Sequence, residues 1–251
     1  MGDVDPRERV SRAAAGYARY RPSYPDAIVD GVLARTGVRP GDPVADVGCG
    51  TGILTRLLAA RGLDVVGVDP NEDMLAEARA VGGPARYRRG EAEATGLPDA
   101  TVALVTVAQA FHWFDAERAL AEFHRVLRPE GHVAALWNLR GHSPFMADYE
   151  DLLRRFCREY RVLEGWEESL ERLKAHSRVA SPHEIEAGNA QLFGFEGLRG
   201  RAWSSSYVIH GVDDREGFDA GLREIFDAHA RGGVLEFPYR TVALVFRVAG
   251  P

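Results

Sequence analysis

The stretch that most constrains the fold of this chain is Val44–Thr55, which reads VADVGCGTGILT. Its first four residues are apolar except for Asp46, a composition typical of a buried parallel strand. Glycines follow at alternate positions, Gly48, Gly50 and Gly52, and apolar residues then recur at helical spacing. The glycines therefore lie in a turn from a strand into a helix, where the main chain can take positive φ angles and a ligand can approach it closely.

Three interpretations of this turn compete. The dinucleotide-binding pattern G-x-G-x-x-G requires a glycine where this chain has Ile53. The chain instead has D-x-G-x-G-x-G from Asp46 onwards, and a carboxylate there suits a ligand that carries a cation better than it suits a pyrophosphate. This pattern resembles the first motif of the class I S-adenosylmethionine-dependent methyltransferases. A tight strand–helix turn without a ligand is the third interpretation.

The resemblance continues into the next two strands. The run LDVVGVDP predicts a second buried strand that ends at the acid Asp69. A carboxylate at that place in a βαβ unit can accept hydrogen bonds from both hydroxyls of a ribose. In the segment GEAEATGLPDAT, the resemblance implies that Glu91 takes the adenine amine and that the Ala92 backbone N–H meets the ring, with Glu93 as a competing acid. The predicted cofactor-binding residues are Asp46, Gly48, Gly50, Gly52, Asp69, Pro70, Met74, Glu91, Ala92, Gln109, Tyr17 and Arg21.

Aromatic residues mark the predicted acceptor pocket. The run VALVTVAQAFHWF is a fourth strand with an aromatic end, and its AFHWF resembles a small-molecule branch of the family that includes trans-aconitate methyltransferases. RYRPSYP is predicted to be an extended elbow. The resemblance implies that this segment forms a lid over the cofactor, although its tyrosines are also compatible with ordinary packing. His112 is the candidate base for a hydroxyl or amine acceptor; the alternative is a histidine that packs on Trp113. The predicted pocket residues are Tyr24, Phe111, Trp113, Asn138 and Arg140.

Strand and helix patterns alternate from about residue 43 to 138, which predicts a parallel α/β sheet. The resemblance implies a Rossmann-like, seven-stranded, mostly parallel sheet with helices on both faces and an antiparallel last strand. We expect a single domain over residues 1–251, with a helical lid (about 1–40) and a helical substrate insertion (about 139–197). SPHEIEAGNAQLFGF is predicted to start a helix, and the alternation over Leu198–Ile209 predicts a strand.

Charge and composition narrow the function classes. The 251 residues carry a net charge of −6, which gives no general attraction to nucleic acid or to anionic membranes, and no run of about 18 apolar residues occurs. The two cysteines, Cys49 and Cys157, offer no metal-binding spacing and indicate a reducing cytoplasm. The polar N-terminus is unlike a signal peptide. We expect no metal and a monomer or homodimer.

The sequence therefore predicts transfer of a methyl group from S-adenosylmethionine to a small-molecule acceptor. A carboxylate or thiolate acceptor needs no general base. The alternatives are a non-catalytic protein that binds or senses S-adenosylmethionine, and a nucleic-acid methyltransferase. The latter is disfavoured because AQAFHW stands where such enzymes have N-P-P-[YF]. A nicotinamide oxidoreductase is disfavoured by Ile53.

Overall fold

The secondary structure of the chain follows from a computed structural model, which describes residues 20–158, 160 and 165–250. The strands are β1 Pro43–Val47, β2 Asp64–Asp69, β3 Arg86–Arg89, β4 Val102–Ala108, β5 Leu127–Arg140, β6 Val179–Phe193 and β7 Leu235–Val248. The helices are α1 Asp26–Thr36, α2 Ile53–Ala59, α3 Glu72–Val81, α4 Ala116–Val126, α5 Pro144–Phe156, α6 Gly165–Lys174, α7 Phe195–Trp203, α8 Ser206–Gly211 and α9 Arg215–His229.

In the described part of the chain these strands form a seven-stranded sheet in the order β3-β2-β1-β4-β5-β7-β6. The pairs β1–β2, β1–β4, β2–β3 and β4–β5 are parallel. The sheet is mostly parallel, with one antiparallel pair. The predicted fold class is confirmed.

Polar side chains cap two of the helices that follow strands of the sheet. Asn71 caps α3, where its side-chain oxygen accepts from the backbone N–H groups of Asp73 and Met74. Asp115 caps α4 by accepting from the Arg118 backbone N–H. These short polar side chains satisfy backbone donors that have no partner within the helix, so the chain leaves β2 and β4 in a defined direction.

Two predictions near the C-terminal end of the predicted insertion are wrong. The segment predicted to start a helix is most of β6, and the segment predicted as a strand is α7 followed by α8. In β6 exposed and half-buried residues alternate, as in a strand with one solvated face. In α7 Leu198 and Ala202 are both fully buried, and their spacing of four residues puts them on one helical face. Residues 139–197 therefore contain a strand as well as helices.

The chain divides into two compact units. The first, here called the sheet unit, is Ser23–Asn138, Trp166–Ala187 and Thr241–Pro251. The second, here called the helical unit, is Met1–Pro22, Leu139–Gly165 and Gly188–Arg240. Each has its own apolar core: Ile28, Val44 and Leu104 are fully buried in the sheet unit, and Phe218 and Phe237 in the helical unit.

A buried carboxylate joins three elements of the sheet unit. Asp46 of β1 is 1% exposed, and its two oxygens accept hydrogen bonds from the hydroxyls of Thr55 on α2 (2.5 Å) and Thr106 on β4 (2.8 Å). Both threonines are also buried. These three residues form a clamp that holds β1 and its neighbouring strand β4 to α2, the helix that follows the glycine turn.

We expect Asp46→Ala to lower the free energy of unfolding by about 2–4 kcal/mol at pH 5, because two buried hydroxyls lose their acceptor. Urea unfolding followed by circular dichroism measures this. Asp64→Ala is the control: its ion pair with Arg86 is exposed, with side chains 54% and 68% accessible, and its loss should cost about 1 kcal/mol or less. Equal losses in the two variants would contradict a structural role for Asp46.

Candidate active site

The three glycines of the turn have different reasons to be glycine. All have positive φ angles: +68° at Gly48, +53° at Gly50 and +76° at Gly52. A Cβ added at Gly48 would lie 2.6 Å from the Ala110 Cβ, and one added at Gly52 would lie 2.5 Å from the Tyr87 hydroxyl oxygen. A Cβ added at Gly50 would meet nothing within 4 Å. Gly48 and Gly52 are therefore required by protein packing, whereas Gly50 faces open space.

Asp69, at the end of β2, holds this turn through its carboxylate. Its Oδ2 accepts the backbone N–H of Gly50 (2.8 Å), and its Oδ1 accepts that of Asn71 (2.9 Å). Burial raises the pKa of Asp69, against the opposing effect of these two backbone hydrogen bonds. Each oxygen keeps a second lone pair. The acid predicted to bind a ribose thus stands directly beside the open space at Gly50.

Asp46 has a different environment from Asp69. Burial raises its pKa to about 6, although the hydrogen bonds from Thr55 and Thr106 oppose the shift. Because both oxygens already accept a hydroxyl and the residue is fully enclosed, its role in the geometry is to hold β1, β4 and α2 together. Direct contact between Asp46 and a ligand stays a prediction.

The structure distinguishes the two acids considered for the adenine. Glu93 accepts the backbone N–H of Asp115 through its Oε1 (2.8 Å), so it is committed to the start of α4. The side chain of Glu91 is exposed, while its backbone pairs with that of Ala94. Ala92 is 4% exposed. The role of Glu91 toward the adenine stays a prediction.

Glu122 of α4 fixes the segment that carries Glu91. Its Oε1 accepts both the backbone N–H (2.8 Å) and the hydroxyl (2.6 Å) of Thr95, and it also pairs with Arg125. Burial alone would raise the pKa of Glu122, but these partners outweigh it and hold the pKa below its usual value. Sequence reasoning missed this anchor because Glu122 and Thr95 are 27 residues apart.

Gln109, directly after β4, has a strained backbone. Its φ angle is +58°, which is uncommon for a residue other than glycine and often marks a functional site. Its backbone N–H donates to the Leu136 oxygen (2.9 Å), and its Nε2 donates to the Asn138 oxygen (3.1 Å). Its buried Oε1 has no hydrogen-bond partner among the described residues. Gln109 therefore offers an unused acceptor at the carboxyl end of the sheet.

The aromatic turn after β4 is a short 3₁₀ helix, Phe111–Trp113. Phe111 is buried, whereas Trp113 is 56% exposed, so the two predicted pocket residues have opposite environments. The rings of His112 and Trp113 lie 4.9 Å apart. Burial lowers the pKa of His112 to about 4. The imidazole is thus neutral at pH 7, the form that can accept a proton.

The remaining predicted residues are divided between packing positions and the helical unit. Met74 and Tyr24 are core residues, 4% and 8% exposed, and Pro70 is half-buried. Asn138 is a buried amide that donates to the Ser23 oxygen (3.3 Å) and accepts the Thr241 hydroxyl.

Arg21 and Arg140 belong to the helical unit, where Arg21 donates to the Ser204 oxygen (3.2 Å). Tyr17 lies outside the described residues. Contact of any of these side chains with a ligand stays a prediction.

Two negative findings apply to the described residues only. No cluster of three or more histidine, cysteine, aspartate or glutamate side chains there has the arrangement of a metal site. None of the described helices combines the length and apolarity that a membrane crossing requires.

Comparison with known proteins supports the interpretation of the glycine turn. Residues 45–135 match the family model described as a methyltransferase domain. The matched residues contain most of β1, the glycine turn, Asp69, β4 and most of β5.

Relatives match only part of the chain. An uncharacterized methyltransferase of Mycobacterium tuberculosis is 46% identical over 128 residues, 51% of this chain and 51% of the relative. A malonyl-[acyl-carrier protein] O-methyltransferase of Serratia marcescens is 34% identical over 122 residues, 48% of each. The chain thus spans about half the length of the curated relatives it matches. Neither relative is described as a trans-aconitate methyltransferase, so that subtype stays a prediction.

One solved structure resembles most of the chain, both within residues 45–135 and beyond them. It comes from Anaeromyxobacter dehalogenans and is provisionally described as a type II methyltransferase. It is 27% identical, with a TM-score of 0.64, and the match covers 92% of this chain and 97% of that one. The likeness to this solved structure therefore extends beyond residue 135.

The raised pKa of Asp46 predicts a pH-dependent stability. The folded chain holds this proton more tightly than the unfolded chain, so the contribution is full below pH 4 and is lost as the pH rises through about 6. Relative to Asp46→Asn, the wild type should lose about 2–3 kcal/mol of unfolding free energy between pH 4 and pH 7.5. Urea titrations across this range measure it, and parallel profiles for the two proteins would refute it.

Proposed function

We propose that this chain transfers the methyl group of S-adenosylmethionine to a small-molecule acceptor. The observation that carries the proposal is the open space at Gly50: a Cβ added there would meet nothing within 4 Å, and the Asp69 carboxylate accepts the backbone N–H of the same residue. If the turn served packing alone, only the positive φ angle of Gly50 would call for glycine at this position. The similarity of residues 45–135 to a methyltransferase domain supports S-adenosylmethionine as the ligand for this space.

The residues present fit such a cofactor. Asp69 has lone pairs for ribose hydroxyls, Glu91 has an exposed carboxylate for the adenine amine, and Gln109 has an unused buried oxygen. Bound S-adenosylmethionine supplies a methyl group that its sulfonium already makes electrophilic. The protein therefore has to align the acceptor and exclude water, rather than activate the methyl group.

The aromatic turn gives the protein its part in acceptor chemistry. Phe111 and Trp113 provide apolar surface after β4, at the end of parallel strands where α/β proteins bind ligands. His112 is neutral at pH 7 and takes the proton from a hydroxyl or amine acceptor at its imidazole nitrogen. A carboxylate acceptor is already ionised, and His112 then has no proton to remove.

Calorimetric titration tests the proposal. Purified protein is titrated separately with S-adenosylmethionine and S-adenosylhomocysteine, and micromolar binding of both is expected. Release of S-adenosylhomocysteine is then followed with small carboxylic acids, phenols and amines. Binding without transfer to any acceptor would favour the non-catalytic alternative, and failure of a folded protein to bind either compound would refute the proposal.

A glycine pair separates ligand contact from backbone strain. We expect Gly50→Ala to weaken S-adenosylhomocysteine binding at least about tenfold, because the new methyl group occupies ligand space. Gly37→Ala is the matched control: Gly37 also has positive φ (+71°) and nothing within 4 Å of an added Cβ. Both variants should lose a similar stability, about 1–2 kcal/mol. Equal affinity in the two variants would show that Gly50 does not face the cofactor.

The ribose contact is tested at Asp69. Asp69→Ala removes at least one charge-assisted hydrogen bond, worth about 1.5–3 kcal/mol of binding free energy. The same titration measures it, with circular dichroism to show that the turn still folds after losing its bonds to Gly50 and Asn71. Affinity within about twofold of the wild type would exclude Asp69 as a ribose ligand, since that is far below the expected loss.

A further inference from the structure

The helical unit contains two buried arginines whose hydrogen bonds go to neutral oxygens. Arg201 of α7 is 4% exposed and donates to the Tyr239 hydroxyl (2.9 Å) and the Ser205 hydroxyl (3.0 Å). Arg140, at the end of β5, donates to the hydroxyls of Tyr160 and Tyr207, each at 2.6 Å. We call Arg140, Arg201, Tyr149, Tyr160, Tyr207 and Tyr239 the arginine–tyrosine cluster.

Aromatic faces complete the surroundings of the two guanidinium groups. The Arg140 Cζ lies 5.4 Å from the ring centre of Tyr149 and 5.6 Å from that of Tyr160. The Arg201 Cζ lies 5.3 Å from the ring centre of Phe237. Cation–π contacts of this kind are weaker than pairing with a carboxylate, so they compensate only part of the cost of burying a charge.

The carboxylate nearest to the cluster in the described residues is only a partial counter-ion. Glu150 lies 3.9 Å from Arg140 and is shared with the exposed Arg154, which it meets at 3.3 Å. No ion pair of Arg201 is present in the described part of the chain. Buried charges in proteins are normally paired. The cluster therefore carries an excess of positive charge that a bound anion would balance.

Tyr149 provides an independent sign of a ligand. The residue is fully buried, and its hydroxyl has no hydrogen-bond partner among the described residues. It lies within electrostatic range of both arginines as well as Tyr207 and Tyr239. A buried hydroxyl without a partner costs stability, and it points to a group that the protein alone does not supply.

Tyr207 shows how strong the local field is. Burial alone would raise the pKa of this phenol, but Arg140 and Arg201 outweigh burial, and the pKa lies below its usual value. The Ser205 hydroxyl contributes in the same direction. The field that favours a phenolate here would favour any oxyanion in the same place.

We propose that the arginine–tyrosine cluster binds an oxyanion, a carboxylate or a phosphate. Arginine suits the task because its fork of N–H donors matches the paired oxygens of a carboxylate or phosphate. The Tyr149 hydroxyl donates a third hydrogen bond to the same group. Arg140, whose side chain is 15% exposed, is the arginine that solvent reaches.

The test is a titration of the full chain with glutarate, with its uncharged diamide and with inorganic phosphate, each with and without S-adenosylhomocysteine. Binding of glutarate in preference to phosphate assigns a carboxylate ligand, and the reverse preference assigns a phosphate. The diamide should not bind. Binding of neither anion at about ten millimolar, or equal binding of glutarate and its diamide, overturns the proposal.

Tyr149→Phe gives the sharpest variant, because it removes only an oxygen that lacks a protein partner. We expect the variant to fold with an unchanged or higher Tm and to bind the anion about fivefold more weakly, the value of one hydrogen bond. A structural role alone predicts no change in anion affinity. Unchanged affinity in this variant would remove Tyr149 from the site.

The arginines are tested with a control from the same helix. Arg140→Gln and Arg201→Gln should weaken anion binding by more than about tenfold, and Arg140→Lys should restore part of the Arg140→Gln loss. Arg199→Gln changes an exposed arginine of α7 that pairs with Asp219, and it should bind the anion as the wild type does. Equal effects at Arg199 and Arg201 would show a general charge effect instead of a site.

The two proposals fail in distinguishable ways. Anion binding in a wild-type protein that does not bind S-adenosylhomocysteine would leave the cluster standing and refute the methyl-transfer proposal. Cofactor binding by a protein that binds neither glutarate nor phosphate would do the reverse. S-adenosylhomocysteine affinity should be the same in Tyr149→Phe as in the wild type.

Discussion

The sheet unit depends on one buried hydrogen-bonded carboxylate, that of Asp46. A carboxylate placed away from water is costly unless its oxygens are satisfied, and here Thr55 and Thr106 satisfy them from α2 and β4. Because the glycine turn lies between Asp46 and Thr55, this clamp fixes both ends of the turn. The positive φ angles of Gly48, Gly50 and Gly52 are then held by contacts outside the turn itself.

Two acids of similar sequence context have separate physical roles as a result. Asp46 and Asp69 both lie at the carboxyl end of a buried strand, but Asp46 is fully enclosed and accepts two side-chain hydroxyls, whereas Asp69 accepts the backbone N–H groups of Gly50 and Asn71. The first acid builds the turn, and the second has acceptor capacity left for a ligand. Burial raises the pKa of both, so the turn is held with little charge exposed to solvent.

The sequence predicts this region well because its signals are local. The strand around Asp46, the glycine turn and the helix after it are each recognised within a few residues, and the structure confirms them. The order β5-β7-β6 has no local signal in the sequence. Partners far apart, such as Glu122 with Thr95, have no local signal at all.

The failures lie where local patterns favour two structures. Leu198 to Ile209 alternates as a strand does, but Leu198 and Ala202 bury one helical face, and that tertiary burial decides the outcome. The incorrect strand also concealed Arg201: in a strand it would be one more polar residue on a solvated face. Only the helix places it inside the core with Tyr239 and Ser205.

Each unit has one electrostatic feature that limits the ligand it suits. In the sheet unit, burial lowers the pKa of His112, so the imidazole is a weak base for an alcohol or amine. In the helical unit, the arginine–tyrosine cluster favours a ligand that is already an anion. An ionised carboxylate needs no proton removed before it attacks a methyl group, whereas transfer to an alcohol or amine would depend on His112, and the pH dependence of transfer would then follow its titration.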